Sequence, residues 1–147
     1  MTAIRRFGYA HERYRSEDKI IDLLIAAEAL LLSDGSYTGE VRYRLAHRAA
    51  LFLAEADETR RIIFKRMGVA YDLRSKVAHG GSYSKKLPEK SDGSIPTLDE
   101  FVWQIQEYIR LAILKALNLT FQPNALFELV NWDEFLFPTS ERIQAND

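Results

Sequence analysis

Ile20-Ile21-Asp22-Leu23-Leu24-Ile25-Ala26-Ala27-Glu28-Ala29-Leu30-Leu31-Leu32 is the stretch that decides the fold class of this chain. Ile20, Leu23, Leu24, Ala27, Leu30 and Leu31 recur at steps of three and four, so an α-helix gathers them into one wide buried stripe. No stretch of the chain sustains the two-residue alternation of a half-buried strand. The expected fold class is therefore all-α, an antiparallel bundle of about five main helices with a short C-terminal docking helix. The quoted stretch is too short, and with Asp22 and Glu28 too charged, to span a bilayer.

Working outward, a first helix is expected over residues 3–14. Ser16, followed by Glu17 and Asp18, reads as the N-cap and acidic first turn of a second helix over 17–32. Turn chemistry at Ser33-Asp34-Gly35-Ser36 precedes a third helix over 40–55, with Val41, Leu45, Ala49, Phe52 and Leu53 inward. A fourth runs from Asp57 to His79, weakened at Gly68 and closed by Gly80-Gly81. Residues 80–96 form one long loop, of a length that is usually functional or mobile. Thr97-Leu98-Asp99-Glu100 matches a capping box and opens a fifth helix to about Leu117, buried through Phe101, Ile105, Tyr108, Ile109, Ala112 and Leu117. The core is expected within 17–117. Residues 121–147 are an aromatic, acidic C-terminal segment in which 126–137 is expected to dock on the bundle or to meet a partner.

With 147 residues, 47% of them hydrophobic and 28% charged, one domain is expected. Cysteine is absent, which removes disulfides, thiolate metal sites and cysteine nucleophiles. The composition suits a reducing compartment, and Met1-Thr2-Ala3-Ile4-Arg5-Arg6 does not begin a signal peptide, so a cytoplasmic location is expected. His11, His47 and His79 lack a second ligand one helical turn away, and neither a metal nor another cofactor is expected. The net charge is −1, but residues 1–86 hold 16 Lys/Arg against 11 Asp/Glu, while 87–147 hold 4 against 10. A polyanion would be met by the first part, although solvated helix faces produce the same asymmetry.

The chemistry concentrates in Tyr71-Asp72-Leu73-Arg74-Ser75-Lys76-Val77-Ala78-His79-Gly80. A guanidinium offers a permanently charged planar fork that matches two phosphate oxygens, and an imidazole moves protons near neutrality. On a regular helix Arg74 and His79 lie about 140° apart with Ser75 between them, so a shared target requires a loosened last turn, a long arginine reach or a second subunit. Spacing alone fits as well an exposed helix end with a C-capping histidine and an arginine paired to a carboxylate, and favours that reading. Arg44, His47 and Arg48 share a face of the third helix and extend a positive patch if packed near the fourth, or form a solvated face with Glu40. Lys76 adds a further cation. Glu28, if buried, needs a cationic partner, Arg74 or Arg48, and would then orient rather than catalyse.

The run Tyr71 to Gly80 resembles the signature of the HEPN superfamily (higher eukaryotes and prokaryotes nucleotide-binding domains), an arginine followed after four to six residues by a histidine. Ile25-Ala26-Ala27-Glu28-Ala29-Leu30 and Tyr43-Arg44-Leu45-Ala46-His47-Arg48-Ala49-Ala50, in that order before it, look like the Apea-like branch. The resemblance covers roughly residues 17–117 and implies a helical bundle that commonly forms a homodimer, bringing two arginine-histidine motifs into one cleft. It further implies RNA as substrate and a metal-independent endoribonuclease of a defence or toxin-like system. His79 would then handle protons and Arg74 would hold the phosphate. Arg44, His47, Arg48, Ser75 and Lys76 are the candidate RNA contacts, and Glu28 and Tyr71 the candidate orienting groups. Ser75 stands where active members often carry Asn, Asp or His. The other reading is a non-catalytic RNA- or nucleotide-binding or dimerisation module of a larger protein, with further domains or partner proteins.

Overall fold

A computed structural model describes residues 2–33 and 40–120. Five helices occupy them: α1 Thr2–Glu12, α2 Ser16–Leu31, α3 Val41–Leu53, α4 Asp57–Ala78 and α5 Leu98–Thr120. No strand occurs among the described residues, and the chain is an all-α bundle. The expected docking helix at 126–137 lies outside the described residues. No helix among them is long and apolar enough to cross a membrane.

Links of a few residues join α1 to α2 and α3 to α4, and each pair packs along its length as a helical hairpin. The stripe on α2 makes it the centre of the bundle, where it touches all four other helices. Ile20, Leu23, Leu24, Ala27, Leu30 and Leu31 are all buried, against Leu45, Ala49 and Phe52 of α3, Ile63, Met67 and Leu73 of α4, and Phe101, Ile105 and Ile109 of α5. The core also takes in Ala3 and Ala10 of α1.

Asp22 is buried among these apolar groups because α1 and the link that follows it bring it two arginines. Arg6 Nη1 donates to one carboxylate oxygen at 3.0 Å and Arg13 Nε to the other at 2.8 Å. A buried carboxylate is tolerated when both oxygens are met in this way, and the arrangement fixes the α1–α2 hairpin. Its hydrogen bond to Asp22, reinforced by the carboxylate charge, pushes the Arg13 guanidinium pKa upward.

Helix ends follow local chemistry with one correction. At α5 the capping box forms: Glu100 N–H donates to Thr97 Oγ1 at 3.2 Å and Thr97 N–H to Glu100 Oε2 at 2.8 Å. Ser16 does not cap α2; its hydroxyl bonds to Asp99 of α5, and Arg15 occupies the cap position without a side-chain hydrogen bond. Gly68 does not interrupt α4, which is continuous through it.

The long loop is tied down. Pro88 and Pro96 are buried, Tyr83 and Leu87 pack on the core, and Ser94 N–H donates to Asp92 Oδ1 at 2.9 Å in a tight turn completed by Gly93 at φ 80°. Arg66 of α4 reaches this loop, donating to Glu89 O at 3.1 Å while also donating to Tyr108 Oη at 2.8 Å.

Candidate functional site

The C-terminal end of α4 is built by a Schellman turn. Gly80, at φ 75°, takes the left-handed position that side-chain-bearing residues avoid, and its N–H donates to Val77 O at 2.9 Å. Gly81 N–H donates to Lys76 O at 2.9 Å, closing the pair of bonds that ends the helix. His79 is the residue at the cap, and the turn leaves its imidazole exposed at the rim of the fold.

Four positions on one stripe of α4, Asp72, Ser75, Lys76 and His79, face the start of the loop. With Tyr83, Ser84 and Lys85 they line an open groove of about 500 Å³. The groove thus holds an imidazole, two ammonium groups, hydroxyls and one carboxylate. The carboxylate is already engaged: Arg42 of α3 holds Asp72 through Nε at 2.8 Å and Nη2 at 3.0 Å. Arg42 gets there by lying across Gly68, where a β-carbon would sit 3.0–3.2 Å from its guanidinium. Burial, then the Asp72 charge, raise the Tyr83 phenol pKa, with Arg42 opposing them, so Tyr83 stands as a neutral hydroxyl in the groove wall.

Arg74 is not part of this groove. It turns around α4 toward α2, where Nη2 lies 3.6 Å from Glu28 Oε1, and its guanidinium stands 5.7 Å from the Tyr71 ring centre. Glu28 and Tyr71 thus lie on either side of Arg74. The contact is a loose one. Arg74 Nε and Glu28 Oε1 are both buried without a hydrogen-bond partner. One protomer therefore separates Arg74 and His79, as the 140° offset of a regular helix requires, and no loosened last turn brings them together.

The α3 candidates divide. His47 is exposed and Arg44 half-buried, but Arg48 is not on that face. It is 7% exposed, and its Nη1 donates to Leu31 O at 2.7 Å, satisfying a carbonyl at the end of α2 that has no partner within its own helix. Its spacing gave notice of this, since Arg48 falls three after Leu45 and four before Phe52, on the buried stripe itself. Glu28 accordingly takes Arg74 and not Arg48 as its cation. Residues that the sequence reading passed over are Arg42, Asp72 and Tyr83. The small residue Gly68, one turn before Asp72, was the available sign that another side chain crosses α4 there.

Among the described residues there is no group of three or more His, Asp or Glu side chains placed to hold a metal ion. The arrangement offers anion contact from Lys76 and Lys85, hydrogen bonding from Ser75 and Ser84, and proton transfer from His79. No protein-family model, no curated protein and no solved structure matches this chain.

Proposed function

We propose that this chain is a HEPN-type RNA-processing domain, a metal-independent endoribonuclease that works as a pair of identical copies in a defence or toxin-like system. The observation that carries the reading is the groove at the end of α4, where an exposed His79 shares one concave surface with Ser75, Lys76 and Lys85. In the reaction the ribose 2′-oxygen attacks the adjacent phosphorus and the bond from phosphorus to the 5′-oxygen breaks, leaving a cyclic phosphate. One His79 takes the 2′-hydroxyl proton, and the protonated His79 of a second copy delivers a proton to the departing 5′-oxygen. Arg74 stabilises the charge that develops on the phosphate. Because Arg74 and His79 of one copy face different sides of α4, the second copy supplies the missing member of each pair.

The test is incubation of the purified protein with mixed RNA in the presence of a chelator, beside His79→Ala and Arg74→Ala. Cleavage by the native chain alone, leaving cyclic phosphate ends, is expected; equal cleavage by all three proteins overturns the proposal. The separation of Arg74 from the groove favours one further reading, a non-catalytic RNA-binding module using Lys76 and Lys85. For that reading affinity falls steeply with salt while no cleavage occurs.

A further inference from the structure

Outside the groove, the most unusual exposed feature is a pair of rings on α3. Tyr43 and His47, one turn apart, stack with centroids 5.6 Å apart and planes 11° from parallel. Phe64 of α4 meets Tyr43 edge-on at 5.6 Å and 74°, which holds the tyrosine from the side. Tyr43 is nonetheless 50% exposed and His47 is exposed. A soluble helix gains little from displaying two parallel rings to water, whereas a ring already fixed in place loses little freedom when a flat ligand stacks on it.

What surrounds the rings points to the ligand. On α4 the residues Arg61, Phe64, Lys65, Gly68, Asp72, Ser75, Lys76 and His79 follow at steps of three and four, so one stripe leads from the ring pair to the groove. Arg61, Lys65 and Lys76 on that stripe are exposed. The one carboxylate on it, Asp72, is covered by Arg42. From Phe64 to His79 the helix advances about 22 Å at 1.5 Å per residue, which a stacked strand covers in roughly six nucleotides at 3.4 Å per step. Cations along a track with aromatic rings beside it form the recognition surface of an unpaired strand, whose bases are free to leave their own stack.

We propose that Tyr43 and His47 are a base-stacking platform, and that the ligand of the α4 face is single-stranded RNA with a phosphate in the His79 groove and a base on Tyr43. The proposal rests on the RNA reading above and adds the site that receives a base of the strand.

The experiment measures binding of a labelled RNA of roughly ten nucleotides, single-stranded and as the duplex, to the native chain and to Tyr43→Ala, Tyr43→Phe, His47→Ala and Lys76→Ala. Tyr43→Ala is expected to weaken single-strand binding about tenfold with an unchanged salt slope, because no phosphate contact is lost. Tyr43→Phe keeps a ring and retains affinity, which separates loss of stacking from loss of fold. His47→Ala weakens binding by a smaller factor, and Lys76→Ala lowers the salt slope by about 0.7. Equal affinity of Tyr43→Ala and native protein, with Lys76→Ala still impaired, overturns the platform and leaves the RNA reading standing. Duplex bound as tightly as single strand also overturns it. If the native chain binds neither RNA, both proposals fall.

Discussion

Arg42 crosses Gly68 to hold Asp72 by two parallel hydrogen bonds, 2.8 Å from Nε and 3.0 Å from Nη2. Three residues on two helices therefore form one unit. A glycine inside a helix costs about 0.5–1 kcal/mol relative to alanine, so its presence in α4 asks for a compensating contact. The guanidinium supplies it, and through Asp72 it braces one wall of the groove.

A double-mutant cycle measures that unit. Alone, Gly68→Ala gains helix propensity but pushes a β-carbon to 3.0–3.2 Å from the Arg42 guanidinium, and the two effects are expected to cancel within about 1 kcal/mol. In an Arg42→Ala background the clash is gone, and Gly68→Ala is expected to stabilise by about 0.5–1 kcal/mol. Urea denaturation of the four proteins reads the coupling; additive effects would show that Arg42 does not constrain Gly68.

Arg48 is a structural arginine, set apart from the cations proposed to meet RNA. It is buried and donates to the Leu31 carbonyl, so Arg48→Ala removes both the hydrogen bond and the packing of the side-chain stem. A loss of about 2–4 kcal/mol in unfolding free energy is expected, the range of a buried charged donor taken from its acceptor. In a salt titration of RNA binding, the folded fraction of this variant is expected to keep the native slope. A reduced slope at unchanged stability would place Arg48 on the phosphate track instead.

The junction of the loop with α5 gives the acid side of the stability profile. Thr97 N–H, and after it the Lys90 ammonium at 3.2 Å, hold the Glu100 carboxyl below its ordinary pKa. Asp92 is lowered by the hydroxyl and N–H of Ser94, and Glu89 by Lys86. A carboxylate with a lowered folded pKa adds stability above its unfolded value of about 4.3, and that stability is lost as pH falls through the lower folded value. Glu100→Gln keeps an acceptor for Thr97 but no charge. Its unfolding midpoint is expected to fall less than that of the native chain between neutral pH and the acid limb, with the two curves converging in acid. Parallel curves would remove Glu100 from the linkage.

The sequence carries its structure unevenly, and the division has a physical cause. Helix ends are set by groups within a few residues of one another, so Gly80-Gly81 and Thr97-Glu100 are legible as motifs and form as such. Buried faces are legible because period alone gathers Ile20, Leu23, Leu24, Ala27, Leu30 and Leu31. Long cationic side chains are a different matter, since an arginine reaches across several residues and its partner lies on another helix. Nothing local says that Asp22 draws in Arg6 and Arg13, that Arg42 spans Gly68, or that Arg74 turns to Glu28 and away from the groove. Ser16 shows the same limit at a cap, where a hydroxyl suited to its own helix is taken by Asp99.

Arg74 is where stability and function are expected to part. Its contact with Glu28 is 3.6 Å, and each member keeps a buried atom without a hydrogen bond. Such a pair has paid part of its desolvation without recovering it in hydrogen bonds, which is tolerable at a site reserved for a ligand and poor as a structural device. Paired with Glu28→Gln, which removes the charge otherwise left alone, Arg74→Met fills the space without the unsatisfied donor, so the unfolding midpoint of the double variant is expected to equal or exceed that of the native chain. Its RNA cleavage is expected to disappear, and Arg74→Lys, which lacks the planar fork, is expected to restore little of it. Glu28→Gln weakens an already loose pair and is expected to cost no more than about 1 kcal/mol. Thermal unfolding beside a cleavage assay on the same preparations decides the matter. A marked loss of stability in the double variant would make this arginine a brace between α2 and α4, and the assignment of the phosphate to Arg74 would fail with it.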